Sequence, residues 1–171
     1  MRISTLLNYA NDPTESAKQA KALESAGVDM IWIPEAYGFD AVSLLGYLAA
    51  ETETVGLGSG ILNTYSRTPA ALAQTAASLD SLSGGRFTLG LGASGPQVIE
   101  GFHGIPYSMP LTRLREVMEI CRMAWKREPL IYNGKVFDLP LPAERGTGLG
   151  KPLKIINHMF REDIPIYVAS L

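Results

Sequence analysis

The sequence predicts an α/β fold, the first half of a parallel (β/α)8 barrel, and three observations predict it. Short apolar runs alternate with capped helical segments four times, and a fifth apolar run closes the chain. The 171 residues fall well short of the roughly 250 that a closed eight-stranded barrel takes. Strands joined through helices pair in parallel by right-handed crossovers, and helices outside let such strands be apolar on both faces. The expected order is sequential, strand one beside two and so on to five. Strands one and five are then open edges. The chain reads as a truncated or split product, as a half-barrel that must associate, or as a small open sheet complete in itself.

The first strand is Ile3 to Leu7. Asp12-Pro13-Thr14-Glu15 then starts a helix over 13–26, because Asp accepts from free first-turn amides and Pro fits that turn. Gly27 supplies its left-handed stop. Val28 to Ile33 is the second strand. Asp40 caps a second helix carrying Ala41, Leu44, Leu45, Leu48 and Ala49 on one face, followed by the third strand, Val55 to Ile61. Thr68-Pro69 opens a third helix through Leu72, Ala76 and Leu79, which stops near Gly84-Gly85 before the strand Phe87 to Leu91. A Gly- and Pro-rich loop leads to a fourth helix with Leu114, Val117, Met118, Cys121 and Trp125 inside and Arg115, Glu119, Arg122 and Lys126 outside. The rhythm then breaks. Leu130 to Phe137 reads as a hairpin about a type I′ turn at Asn133-Gly134, within an insertion at about 128–163. The last strand is Ile164 to Leu171, so one domain, 1–171, is expected.

Composition narrows the function. With 46% hydrophobic residues and 19% charged, the chain can bury a core. A formal net charge of −2 builds in no attraction to nucleic acid or anionic lipid. No apolar run approaches a membrane span, and the first eight residues do not resemble a signal peptide, so a cytoplasmic protein is expected. Cys121 has no partner for a disulfide or zinc knuckle and reads as a small core residue. His103 and His158 lie outside any metal-binding spacing, so no metal site is expected.

Gly90-Leu91-Gly92-Ala93-Ser94-Gly95 satisfies G-x-G-x-x-G after a strand. Pro96, Gly101, Gly104, Pro106 and Pro110 nonetheless break the long helix that a dinucleotide fingerprint needs. Gly56, Gly58 and Gly60 share one face of the third strand; they either make room for larger neighbours or let a ligand approach. In a parallel barrel the active site lies at the carboxyl ends of the strands. There the chain places Asn8, Glu35, Gly60-Ile61-Leu62-Asn63, Gly92-Ala93-Ser94-Gly95 and Ala169-Ser170. Glu35 follows Trp32-Ile33-Pro34 and has two readings: a partly buried carboxyl that handles a proton, or a loop carboxylate that caps or pairs with Arg67. The Ala- and Leu-rich sides of the second and third helices, with Leu44, Leu48, Ala70, Ala73 and Ala77, are the expected association face.

Four segments carry a family resemblance: Ala26 to Glu35, Thr68 to Phe87, Leu89 to Gly101, and Ile164 to Ala169. They resemble the bacterial luciferase-like flavin monooxygenases, and within them the deazaflavin (coenzyme F420)-dependent oxidoreductases akin to methylenetetrahydromethanopterin reductase. Leu82-Ser83-Gly84-Gly85-Arg86-Phe87 carries the superfamily likeness; Gly92 to Gln97 resembles the deazaflavin branch. The resemblance implies a TIM (β/α)8 barrel of about twice this length and a dimer. It implies a cofactor across the strand ends whose C5 exchanges a hydride with a small-molecule substrate. A non-proline cis peptide is implied at Gly60-Ile61, and backbone amides of Gly92 to Gly95 beside the cofactor. Asn8, Gly60, Ile61, Leu62, Asn63, Gly92, Ala93, Ser94, Gly95, Ala169 and Ser170 are then the cofactor-binding candidates and Glu35 the catalytic one. An FMN-dependent monooxygenase of the same superfamily, and an inactive half-barrel that serves as a partner subunit, are the alternatives.

Overall fold

The structure, a computed structural model, describes residues 1–8 and 12–169. Its parallel sheet contains β1 (Ser4–Leu6), β2 (Met30–Ile33), β3 (Gly56–Ser59), β4 (Leu62–Asn63), β5 (Phe87–Gly92) and β8 (Ile166–Val168), while β6 (Tyr132–Asn133) and β7 (Asp138–Leu139) form a separate hairpin. β1, β2, β3 and β5 lie side by side; β4 and β8 both pair with β5. This is the sequential order expected, with one refinement. The expected third strand is two pieces, β3 and β4, separated by Gly60-Ile61, whose peptide bond is cis.

Helices follow the capping signals. α1 (Pro13–Ser25) is capped by Asp12, which accepts from the Thr14 amide at 2.8 Å. α2 (Ala41–Glu51) is capped by Asp40, which accepts from Ser43 N at 2.7 Å, and α3 (Pro69–Leu82) by Thr68. Gly27 and Gly85, at φ +80° and +83°, take the left-handed conformation after α1 and α3. The short α4 (Pro96–Gly101) precedes α5 (Pro110–Trp125). No helix among the described residues is long and apolar enough to cross a membrane.

One face of the sheet buries Leu7, Ile31, Ile33, Leu57, Phe87, Leu89 and Leu91 against Ala20, Leu45, Leu48, Leu72, Ala76, Val117 and Trp125 of the helices. Each large aliphatic side chain so buried contributes about 1.5–3 kcal/mol relative to exposure. Cys121 is part of this core; burial pushes its thiol up to about 12. The alternate residues face the other way, onto a concave surface where Leu6 and Tyr167 are 62% and 57% exposed.

Two expectations need correction, and one open reading is decided. The hairpin pairs Tyr132 with Leu139 and Asn133 with Asp138, so four residues, Gly134 to Phe137, form its tip in place of a two-residue Asn-Gly turn. The cause is Glu116 of α5, buried to 2% exposure, whose carboxylate accepts from the amides of Lys135, Val136 and Phe137 at 2.7, 3.0 and 3.0 Å. Leu48 and Ala73, placed on the association face by sequence, are fully buried in the core. Gly56 and Gly58 take the first of their two readings. A Cβ on Gly56 would stand 2.6 Å from Met30 Sδ, and one on Gly58 2.5 Å from the Trp32 ring, so both make room for neighbours on β2.

Candidate active site

The carboxyl ends of β1, β2, β4, β5 and β8 lie along one edge of the parallel sheet. Leu7 N donates to Trp32 O at 3.0 Å, which puts Asn8 on the rim beside the end of β2. Gly60 N donates to Ile33 O at 2.8 Å, Thr64 N to Gly92 O at 3.0 Å and Ala169 N to Leu91 O at 3.0 Å. These bonds draw the ends of β2, β4, β5 and β8 together. At their meeting point a Cβ built on Gly92 would lie 3.0 Å from Ile61 Cγ1 and 3.5 Å from Ala169 Cβ. The half-buried Ile61 therefore lies directly against the Gly92 backbone. Ala93, Ser94 and Gly95, all half-buried, continue from it, with Ser94 at φ +56°.

The structure does not treat all the candidates alike. Leu62 is fully buried in the core, and Asn63, 3% exposed, spends its side-chain oxygen on the amides of Tyr65 and Ser66 at 3.1 and 2.7 Å. Both frame the rim from within. Ser170 lies outside the described residues. Glu35 is held by Arg67, Oε2 to Nη1 at 2.7 Å and Oε1 to Nη2 at 2.8 Å, and it also accepts from the Ala41 amide at 3.3 Å. The second reading of Glu35, pairing and capping, is thus present in the geometry. Hydrogen bonding to Glu35 pushes the Arg67 guanidinium up, against the opposing effect of burial. Arg67 also pairs with Asp40. Burial acts to raise the Asp40 carboxyl, but the Ser43 amide and hydroxyl and Arg67 outweigh it and hold it below the usual range.

Around this ion pair the residues Ser66, Phe102 and His103 and the loop after β2 line an open cleft of about 290 Å³. Sequence reasoning missed a second group behind the Gly92 to Gly95 turn: Tyr65, Tyr107 and Arg113. Tyr107 lies in an aperiodic Pro-rich stretch 13 residues from Ser94, and no local pattern links the two.

The whole chain, residues 1–171, matches the family model described as luciferase-like monooxygenase. The chain belongs to that family. Among luciferase-like relatives, a Mycobacterium tuberculosis protein that carries the provisional name coenzyme F420-dependent oxidoreductase Rv3520c is 44% identical over 99% of this chain and 50% of its own length. A 5,10-methylenetetrahydromethanopterin reductase of Archaeoglobus fulgidus is 35% identical over 88% of this chain and 41% of its own. The coenzyme F420 dependent tetrahydromethanopterin reductase of Methanopyrus kandleri superposes with a TM-score of 0.83 at 26% identity, over 98% of this chain and 49% of that one. This luciferase-like chain thus spans about half the length of the relatives it matches, which agrees with a half-barrel. Of these relatives, the Mycobacterium tuberculosis protein and the Methanopyrus kandleri reductase are named for coenzyme F420.

Proposed function

We propose that this chain forms the cofactor-binding face of a coenzyme F420-dependent oxidoreductase that transfers a hydride between C5 of the deazaflavin and a small organic substrate. The observation that carries the reading is the glycine seat at the strand ends. Gly92 has no room for a Cβ because Ile61 and Ala169 lie against it, so Ile61 packs low over bare backbone at the strand ends and offers a flat ring a shallow platform. The relatives named for coenzyme F420 support a deazaflavin in preference to FMN. The bound deazaflavin supplies the hydride chemistry; the protein supplies orientation and exclusion of water.

In this reading Ile61 backs the ring, Gly60, Gly92, Ala93, Ser94 and Gly95 border it through their backbone, and Asn8 and Ala169 close the two ends of the rim. Leu62 and Asn63 hold the seat's shape from below. Glu35 keeps Arg67 and the start of α2 in place beside the substrate cavity; a proton-handling role adds to that only if turnover depends on its charge. The remaining contacts, including those to the cofactor phosphate, come from the strands that complete a barrel in the longer relatives.

Binding titration tests this. A longer chain that adds the fifth helix and three further βα units binds oxidised and reduced deazaflavin, while the 171-residue chain binds at least about tenfold more weakly, since half the rim leaves the ring half in water. Gly92→Val in the longer chain displaces Ile61 and abolishes binding. Tight binding of FMN without deazaflavin would turn the assignment to a flavin monooxygenase, and unimpaired binding by Gly92→Val would move the seat elsewhere.

A further inference from the structure

The turn from Gly92 to Gly95 is held from behind by a stack of side chains. The Tyr107 hydroxyl donates to the Ser94 carbonyl oxygen at 3.1 Å, and the Tyr107 ring lies on that of Tyr65 with centroids 5.2 Å apart and planes at 22°. Tyr65 is itself fixed. Its hydroxyl donates to Ser108 O at 2.8 Å and the Arg113 guanidinium covers its ring at 4.4 Å. Arg113 reaches on to the Phe137 ring at 4.9 Å, in the hairpin tip that Glu116 anchors. No carboxylate pairs with Arg113 among the described residues; its charge meets the two ring faces and the Thr64 carbonyl oxygen, to which Nη1 donates at 3.5 Å. The stack ties α5 and the hairpin to a single backbone carbonyl.

That carbonyl fixes more than itself. The Ser94–Gly95 peptide is trans, and in a planar trans peptide the C=O and the N–H point in opposite directions. With the Ser94 oxygen turned back to Tyr107, the Gly95 N–H faces away from the stack, and among the described residues nothing accepts from it. Ser94 sits at φ +56°, a conformation that few non-glycine residues hold without support. We propose that Tyr107 is a positioning residue: its hydroxyl holds this peptide plane so that the Gly95 N–H stands ready as a hydrogen-bond donor to a carbonyl oxygen of the ligand on the glycine seat. The identity of that ligand rests on the deazaflavin reading above; the orientation of the plane does not. A preset donor loses no orientational freedom when the ligand arrives, which is how a remote hydroxyl gains influence over binding.

Tyr107→Phe keeps the ring stack and removes one hydroxyl, and the 15N-labelled 171-residue chain reports the result even for a weak ligand. Titration of the wild type with oxidised deazaflavin moves the Gly95 amide resonance. In Tyr107→Phe the same movement needs about five- to tenfold more ligand, with a thermal midpoint within about 2 °C of wild type. Tyr107→Leu, which also removes the stack, loses both affinity and stability. Equal affinity in Tyr107→Phe, or a loss that merely follows its thermal midpoint, would overturn the proposal. If Gly92 and Ile61 respond to the ligand while Gly95 does not, the positioning role falls and the cofactor reading stands. If no resonance responds in this chain, titration of the longer chain decides the cofactor reading, and the Gly95 amide alone decides this one: unchanged hydrogen exchange and shift in Tyr107→Phe would show that the hydroxyl holds nothing.

Discussion

The rings of Trp32 on β2 and Tyr167 on β8 meet edge to face, with centroids 5.4 Å apart and planes at 65°, although β3 and β5 run between their strands. The register explains it. Trp32 stands opposite Gly58 and Tyr167 opposite Gly90, so neither intervening strand raises a side chain at those positions. The aromatic pair closes over a glycine floor and adds about 0.5–1.5 kcal/mol beyond its burial. It also brings the two flanks of the concave surface together beneath the glycine seat.

Substitutions in that floor should rank by what a Cβ meets. On Gly90 it would fall onto the Ser59 carbonyl oxygen, and on Gly58 onto the Trp32 ring, whereas on Gly46 in α2 it would meet nothing within 4 Å. Gly90→Ala is expected to cost about 3 kcal/mol or more and Gly58→Ala about 1–3 kcal/mol. Gly46→Ala should add about 0.5–1 kcal/mol. Urea denaturation checks the order; a Gly90→Ala chain as stable as wild type would contradict it.

Glu35 and Arg67 should behave as one unit. Their side chains are only 9% and 18% exposed, so removing one leaves the other short of a partner. Glu35→Gln and Arg67→Met are each expected to cost about 2–4 kcal/mol, and the double variant less than their sum by about 1 kcal/mol or more. Additive losses would show that the pair is not coupled. Should Glu35→Gln lower turnover with stability intact, the proton-handling role gains ground instead.

The buried thiol gives a pH signature. Cys121 is protonated in the fold up to about 12, against an ordinary value of 9.0. Above pH 9 the native state thus holds a proton that the unfolded chain has released, so stability falls as pH rises. The slope is up to about 1.4 kcal/mol per pH unit from this group. Below pH 9 the contribution is fully present. Comparison of Cys121→Ala with wild type between pH 8 and pH 10 isolates it. Native Cys121 should also resist thiol reagents at pH 8, and rapid labelling would contradict the burial.

Association is expected through what remains of the α2–α3 face. With Leu48 and Ala73 turned inward, Leu44, Ala70 and Ala77 remain of that face, all half-buried, and on the same two helices Val42, Gly46 and Ala71 are half-buried and Leu82 is exposed. Small residues there let two copies approach closely. Light scattering at tens of micromolar should find a dimer, which Ala71→Arg dissociates. A monomer under those conditions would remove this face from consideration.

How much of this was legible in sequence follows from range. Caps at Asp12, Asp40 and Thr68 and the stops at Gly27 and Gly85 act within a few residues, and the helices they delimit appear almost at the expected bounds. The hairpin departs because its tip is shaped by Glu116, about 20 residues away in sequence, a carboxylate that helical periodicity would have placed simply on a polar edge. The division of the third strand likewise came from the family resemblance and not from any strand propensity. In the candidate site, the rim glycines were readable because strand ends are readable. The Tyr65, Tyr107 and Arg113 stack was not, since each of its contacts joins a different loop.

Ser59 has a consequence for anyone who would rebuild the rim. The β3 ladder with β5 ends at Gly58 and Thr88 and resumes at Leu62 and Leu91 as β4. In the gap, both backbone groups of Gly90 turn to the Ser59 hydroxyl, which accepts from its N–H and donates to its C=O, each at 2.9 Å. One side chain thereby splices two lengths of sheet, and the detour through residues 60–61 runs outside the ladder without opening the core to water. Loop grafts and ligand-specificity libraries on the far side of this splice alter a ledge; those that reach back to position 59 alter the wall on which the ledge is built.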